Sequence, residues 1–422
     1  GWEAKAAYMD YYERALYNHI LASQNPDDGM VCYCLPLGSG TEKIFSTPFD
    51  AFWCCVGTGL ENHVKYAESV FFESVKDKGL FVNLFIPTLL DWKERGMEVR
   101  METRFPAEPK ITITIKGKAQ RFPLHIRWPE WAAQGMKVRL NGREKAVDGV
   151  PGSYVTLNEK WSDRTTLTVE FPMGVHTVAM PDNPRRAAFF YGPVLLAAPL
   201  GEGEVQVYDI PCFVSENGSA TDAVQPVPGE PLHFTARTTV DPQLPLVPFY
   251  GLHGRKHAVY FDLFTPQEWV VREQEYRAII AAQQALEART TDLFRIGEMQ
   301  PERDHNLKSE RSDAGNANGR AFRHAFDGWF SFEVKVDPQQ PMQMICEFWG
   351  ADRDKRNFDI LIDGTLLRTV SLTGEHGPRF FEAVYDLPSA LTQGRERITV
   401  CFRSHPGNYA GGLFGFRMVR KE

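Results

Sequence analysis

Ile111-Thr112-Ile113-Thr114-Ile115 is the run on which the fold turns. Three isoleucines fall on one side of an extended chain and two threonines on the other. That period of two describes a strand buried on one face. The same alternation continues at Val155 and Leu157 and at Leu167 and Val169. Between Ile115 and Val155, Asn141-Gly142 separates two short apolar runs and predicts a two-residue hairpin. Residues 79–200 therefore read as an antiparallel β-sandwich. Further along, Phe358, Ile360 and Ile362 alternate and Asp363-Gly364 supplies another hairpin turn, so 292–422 reads as a jelly-roll accessory domain. The stretch 201–291 is richer in Pro and Gly. It reads as a small β module, with its best strand at 257–263, followed by a connector helix at 270–288.

Upstream of residue 79 the period changes to that of a helix. Tyr8, Tyr11, Tyr12, Ala15, Leu16 and Ile20 share one face over 4–22, and Asn25-Pro26-Asp27-Asp28-Gly29 ends the run. A second helix is expected over 59–73, with Leu60, Val64, Ala67, Val70 and Phe71 on one side and Thr58 and Glu61 as its capping box. Two helices do not make a domain, so 1–78 is expected to be the end of a larger helical one. The chain as a whole is mainly β with some α.

Composition narrows the function. The 422 residues carry a formal charge of −7, without a basic tract, which argues against nucleic acid and anionic membrane as partners. No apolar run approaches the ~20 residues of a membrane span. The 9 Trp, 14 Tyr and 29 Phe suit sandwich cores first and sugar-stacking clefts second. Asn217-Gly218-Ser219 matches a glycosylation sequon.

The seven cysteines are odd in number, and Cys32, Cys34, Cys54 and Cys55 lie within 24 residues, unlike a disulfide framework. Cys54-Cys55 precede the expected helix start, where free N–H groups and the helix dipole favour thiolate. Glycines at 57 and 59 would let the backbone approach a ligand. A thiolate is a nucleophile and a soft zinc ligand. Two inert buried thiols are the plainer alternative. Trp53 could wall a sugar site or anchor the turn. Glu61 is explained by the capping box, and His63 reads as a surface residue.

The string Phe49-Asp50-Ala51-Phe52-Trp53-Cys54-Cys55-Val56-Gly57-Thr58-Gly59-Leu60-Glu61-Asn62-His63 resembles the cysteine motif of the β-L-arabinofuranosidases of glycoside hydrolase families 127 and 146. Three further stretches agree: Tyr12-Glu13-Arg14-Ala15-Leu16-Tyr17-Asn18, Gly79-Leu80-Phe81-Val82-Asn83-Leu84-Phe85-Ile86-Pro87, and Pro181-Asp182-Asn183-Pro184 leading into Phe189-Phe190-Tyr191-Gly192-Pro193-Val194. The resemblance implies the terminal helices of an (α/α)6 toroid followed by β-sandwich and jelly-roll domains. It implies a retaining hydrolase releasing terminal β-L-arabinofuranose from plant glycans, outside a bacterial cell or in its periplasm. By position in the motif, Cys54 would be the nucleophile and Cys54 and Cys55 would hold Zn2+, while Tyr33 would contact substrate; Trp53 is a candidate contact only because it adjoins Cys54.

One departure matters. The family takes its acid/base glutamate, and a Glu and Cys of the zinc site, from a segment upstream of anything matching here. The chain alone is therefore expected to be inactive. Cys32 and Cys34 could in principle replace the lost ligands. The competing reading is a non-catalytic carbohydrate-binding assembly.

Overall fold

A computed structural model describes residues 4–51, 53–216 and 219–422, which leaves Asn217 and Gly218 of the sequon outside. The chain divides into two compact units, Gly1–Tyr276 and Arg277–Glu422.

In the first unit, helix α1 (Ala6–Ala15) runs on through a π-helical turn at Leu16–Ile20 and a 3-10 turn at Leu21–Ser23. Met9, Leu16 and Tyr17 are buried against the sandwich, whereas Tyr8 and Tyr11 stand in solvent. Helix α2 (Cys54–Val64) is followed by a short α3 (Tyr66–Val70). The expected start near 59 is thus wrong by five residues. Thr58 lies inside α2, its hydroxyl donating to the Cys54 carbonyl one turn back at 3.2 Å, so there is no Thr58/Glu61 capping box. Trp53 occupies the cap in extended backbone without a side-chain bond. The helix also ends earlier than expected, because Phe71 and Phe72 leave it to pair with Val82 and Phe81.

Ten strands follow: β1 (Phe71–Glu73), β2 (Leu80–Val82), β3 (Thr88–Trp92), β4 (Met97–Thr103), β5 (Lys110–Gly117), β6 (Gln120–Trp128), β7 (Lys137–Leu140), β8 (Arg143–Lys145), β9 (Ser153–Trp161) and β10 (Thr165–Glu170). They form two sheets, ordered β1-β2-β6-β9 and β3-β4-β5-β10-β7-β8. Ile111, Ile113 and Ile115 are fully buried, and Ile113 and Ile111 lie opposite Leu167 and Val169 of β10. Asn141 and Gly142 both take positive φ, 49° and 79°, as the β7–β8 hairpin turn requires. One pair departs from the antiparallel expectation: β2 runs parallel to β6, because the chain builds β3, β4 and β5 of the other sheet before returning.

A third sheet of nine strands spans Val175–Ala179 to Phe261–Phe264, continuing across residue 200. The helix expected at 270–288 is α4 (Pro266–Arg289), within which the division between the units falls.

The second unit is built on another nine-stranded sheet whose ends are the strands Thr365–Ser371 and Phe380–Leu387. Its interior holds Phe330, Phe332, Phe348, Phe358 and Phe402, fully buried, so much of the aromatic content is core. Asp363 and Gly364, with φ of 46° and 82°, make the expected hairpin.

The stretches that carry the family resemblance turn out to be the fastenings between the helical segment and the sheets. Arg127 of β6, with no exposure, donates to Glu13 Oε1 and Asp10 Oδ1 of α1, both at 2.5 Å, and to the Asn83 carbonyl at 2.7 Å. Trp131 Nε1 donates to the other Glu13 oxygen at 2.8 Å. Burial pushes both carboxyls up, while the two acids together hold the guanidinium charged. Asn18, in the π-helical turn, donates to the Pro193 carbonyl at 2.8 Å and accepts the Leu195 N–H at 2.7 Å. Gly79 admits no side chain: a Cβ there would lie 2.6 Å from the Pro123 carbonyl oxygen.

Candidate functional site

Cys54 and Cys55 are the first two residues of α2, not residues ahead of it. Their sulfurs are 3.8 Å apart, Cys54 exposed and Cys55 half-buried. None of the seven cysteines is in a disulfide. The Cys55 thiol is pushed up by desolvation and then by the neighbouring Cys54 and Cys34. Cys34 therefore faces the pair electrostatically, whereas Cys32 is buried and bridged to Phe45. The C-x-C alternates inward and outward as a strand does. Burial pushes the Cys32 thiol up to about 11.

The two candidate substrate contacts, 20 positions apart in sequence, meet in space. The Tyr33 and Trp53 rings pack edge to face at 5.7 Å, both partly exposed, directly before Cys54. They form an aromatic wall beside an exposed thiol. The geometry that permits this lies at Gly59. A Cβ there would sit 2.8 Å from Val31 Cγ1, so only glycine lets α2 press on the chain leading into Tyr33. Gly57 faces open space. Gly59 thus serves helix packing, while Gly57 leaves its part of α2 open. His63 shares a 2.7 Å hydrogen bond with the Tyr66 hydroxyl and packs edge-on to its ring, a local tie within the helical segment.

The loop bearing Tyr33 is held from beneath. His257 Nε2 bonds the Pro36 carbonyl at 3.0 Å, and Thr41 pairs with His257 through the backbone. Lys43, 4 % exposed, donates to the Phe249 carbonyl at 2.6 Å and lies 4.3 Å over that ring. Nothing in the sequence signals this lysine, which sits in a polar loop after Glu42. Burial lowers its ammonium to about 8. A base depressed in the folded state destabilises fully below that value, and the penalty lifts as pH rises toward the ordinary lysine range. We expect the Lys43 contribution to unfolding free energy to rise by ~3 kcal/mol between pH 8 and 10.5. Urea titrations of wild type and Lys43→Met across that window should differ by this slope; parallel curves would contradict it.

Two sulfurs on a tetrahedral zinc, each at about 2.3 Å, stand about 3.8 Å apart. The Cys54–Cys55 separation of 3.8 Å has that value. The pair thus fits one edge of a zinc tetrahedron. Among the described residues no group of three or more His, Cys, Asp or Glu side chains closes around a metal position.

The fold and this site define a helical segment carrying a vicinal cysteine pair on a β-sandwich, and comparison with known proteins gives that class a family. Residues 1–68 match the β-L-arabinofuranosidase GH127 catalytic domain, and 79–173 match the GH127 middle domain. These matches fall on the segments that carry the resemblance of the cysteine string. Residues 285–419 match a family of unknown function, DUF6805. Among solved structures, a glycoside hydrolase is 18 % identical, with TM-score 0.50 over 62 % of this chain and 49 % of its own. A GH127 β-L-arabinofuranosidase from Geobacillus stearothermophilus T6 is 18 % identical, with TM-score 0.50 over 62 % of this chain and 47 % of its own. Another GH127 β-arabinofuranosidase is 19 % identical with the same TM-score and coverages, 0.50, 62 % and 47 %. The likeness is one of fold, and the chain spans about half the length of each. No curated protein matches significantly.

Proposed function

We propose that this chain supplies the nucleophile side of a retaining glycoside hydrolase active on terminal β-L-arabinofuranose in plant glycans. The observation that carries the reading is the cysteine pair at an open helix start, with Cys54 exposed beside the Tyr33–Trp53 wall, in segments matching the GH127 domains. In this reading the Cys54 sulfur attacks the anomeric carbon and the bond to the aglycone breaks. The leaving oxygen takes a proton from a carboxylic acid, and water then displaces the sugar from sulfur with that carboxylate as base. Tyr33 and Trp53 orient the furanose ring and exclude water from one side. Cys54 and Cys55 would hold a zinc ion, which keeps their sulfurs deprotonated near neutral pH.

The acid/base carboxylate and the remaining zinc ligands belong, on this proposal, to a part of the catalytic domain outside this sequence. The hydrolase it would serve is expected to act where plant polymers are degraded, outside the bacterial cytoplasm.

Zinc content measures the metal half of the proposal. Elemental analysis of the purified chain should find less than one zinc per chain, and Cys54→Ser/Cys55→Ser should remove what is bound. A full equivalent lost in the double variant would mean that Cys32 or Cys34 completes the site within this chain. Zinc unaffected by the double variant would remove the cysteine pair from the metal site.

A further inference from the structure

The main run of strands in the sheet of the second unit has two ends. Thr365–Ser371 pairs only with Asn357–Ile362, and Phe380–Leu387 only with Met342–Trp349. Both ends line a single cavity of about 240 Å3. By volume it holds roughly eight waters, about the space of one sugar ring. Its walls carry the rings of Trp349, Phe381 and Tyr385, and its polar groups include Arg368, Ser371 and Asp352.

The aromatic walls are fixed by their neighbours. Trp349 packs edge-on to Phe380 at 5.0 Å, and Phe381 is stacked under His376 at 3.9 Å. The polar groups are not used up. Among the described residues, the Arg368 guanidinium, the Tyr385 hydroxyl and the Trp349 indole N–H make no hydrogen bond, and none of them is a sealed, unsatisfied atom. They are donors open to the cavity. Asp352 adds an acceptor, 3.4 Å from the Arg356 Nε that partly neutralises it.

We propose that this cavity is a saccharide-binding site. A sugar ring presents C–H groups on its faces and hydroxyls around its rim, and so matches rigid aromatic walls with donors and acceptors between them. A phosphate ligand would meet Asp352 and Glu375 on the same lining, and a lipid chain would meet too many open donors. The site lies wholly in the second unit, in the region that matches a family of unknown function, and it goes beyond the proposed hydrolase chemistry. It would hold a glycan polymer to the protein independently of Cys54.

The test is calorimetric titration of the whole 422-residue chain with two neutral probes, arabinan oligosaccharides and galactan oligosaccharides. Saturable binding of either probe is expected, weakened about tenfold by Arg368→Ala, the loss of one charge-assisted hydrogen bond. Trp349→Ala should abolish it. Should Trp349→Ala fail to fold, Tyr385→Phe with Arg368→Ala carries the test, with melting curves as the check on folding. Failure of wild type to bind either probe overturns the proposal, as does binding that Arg368→Ala and Tyr385→Phe both leave intact. Neither result touches the zinc measurement, so the two readings fail separately.

Discussion

Replacing Arg127 by alanine is expected to cost the first unit 3–5 kcal/mol or more, on the order of what breaking a buried ion pair costs. The guanidinium is fully buried and serves Glu13, Asp10 and the Asn83 carbonyl together. Its removal leaves two carboxyls, one of them fully buried, facing an apolar interior with Trp131 as the remaining donor to Glu13. With a typical domain stable by ~5–15 kcal/mol, such a loss shows directly in a denaturation curve. A second variant separates charge from packing. Arg127→Met combined with Glu13→Leu and Asp10→Asn should recover most of the stability, since an apolar replacement of a buried network is often close to neutral. An Arg127→Ala protein melting within a degree of wild type would mean that α1 is not fastened to β6 as described.

The second large effect concerns chemistry. In a protein that joins this sequence to the upstream part of a GH127 catalytic domain, Cys54→Ser should lower arabinose release from a β-L-arabinofuranoside by at least about 10^3-fold, as loss of a nucleophile does. Folding should be unaffected, because α2 buries none of its residues. Trp53→Ala should instead act mainly through KM, by about tenfold, if the wall binds ground state and transition state alike. Turnover by Cys54→Ser within tenfold of wild type would exclude Cys54 as nucleophile and turn attention to Cys55.

Much of the β architecture is legible in the sequence, because strand period and hairpin chemistry are local. Ile111, Ile113 and Ile115 fall inward as their spacing demands, and Asn141-Gly142 and Asp363-Gly364 turn where positive φ is needed. The helix start at Cys54 is not legible. No side chain caps it, and its position follows from the press of Gly59 on Val31, a contact between residues 28 apart. Thr58 misleads because the same hydroxyl that caps a helix also bonds back to a carbonyl inside one. The parallel β2–β6 pair escapes for a similar reason: alternation gives faces, not neighbours. At the candidate site, resemblance points to Tyr33 and the cysteines, adjacency to Cys54 points to Trp53, and folding brings the two rings into contact. Glu13 and Lys43 look like ordinary solvated charges in the sequence. Only partners more than a hundred residues away show that they are interior groups.

The absence of any buried residue in α2 has a practical side. The helix that carries both cysteines adds little to the cooperative melting of the sheets beneath it. A protein preparation could therefore give a sharp, unaltered thermal transition while its first turn is frayed and its thiols point elsewhere. Quality control for this molecule belongs to local reporters, such as amide exchange at Cys55 and Val56 or the alkylation rate of Cys54, read beside the melting curve.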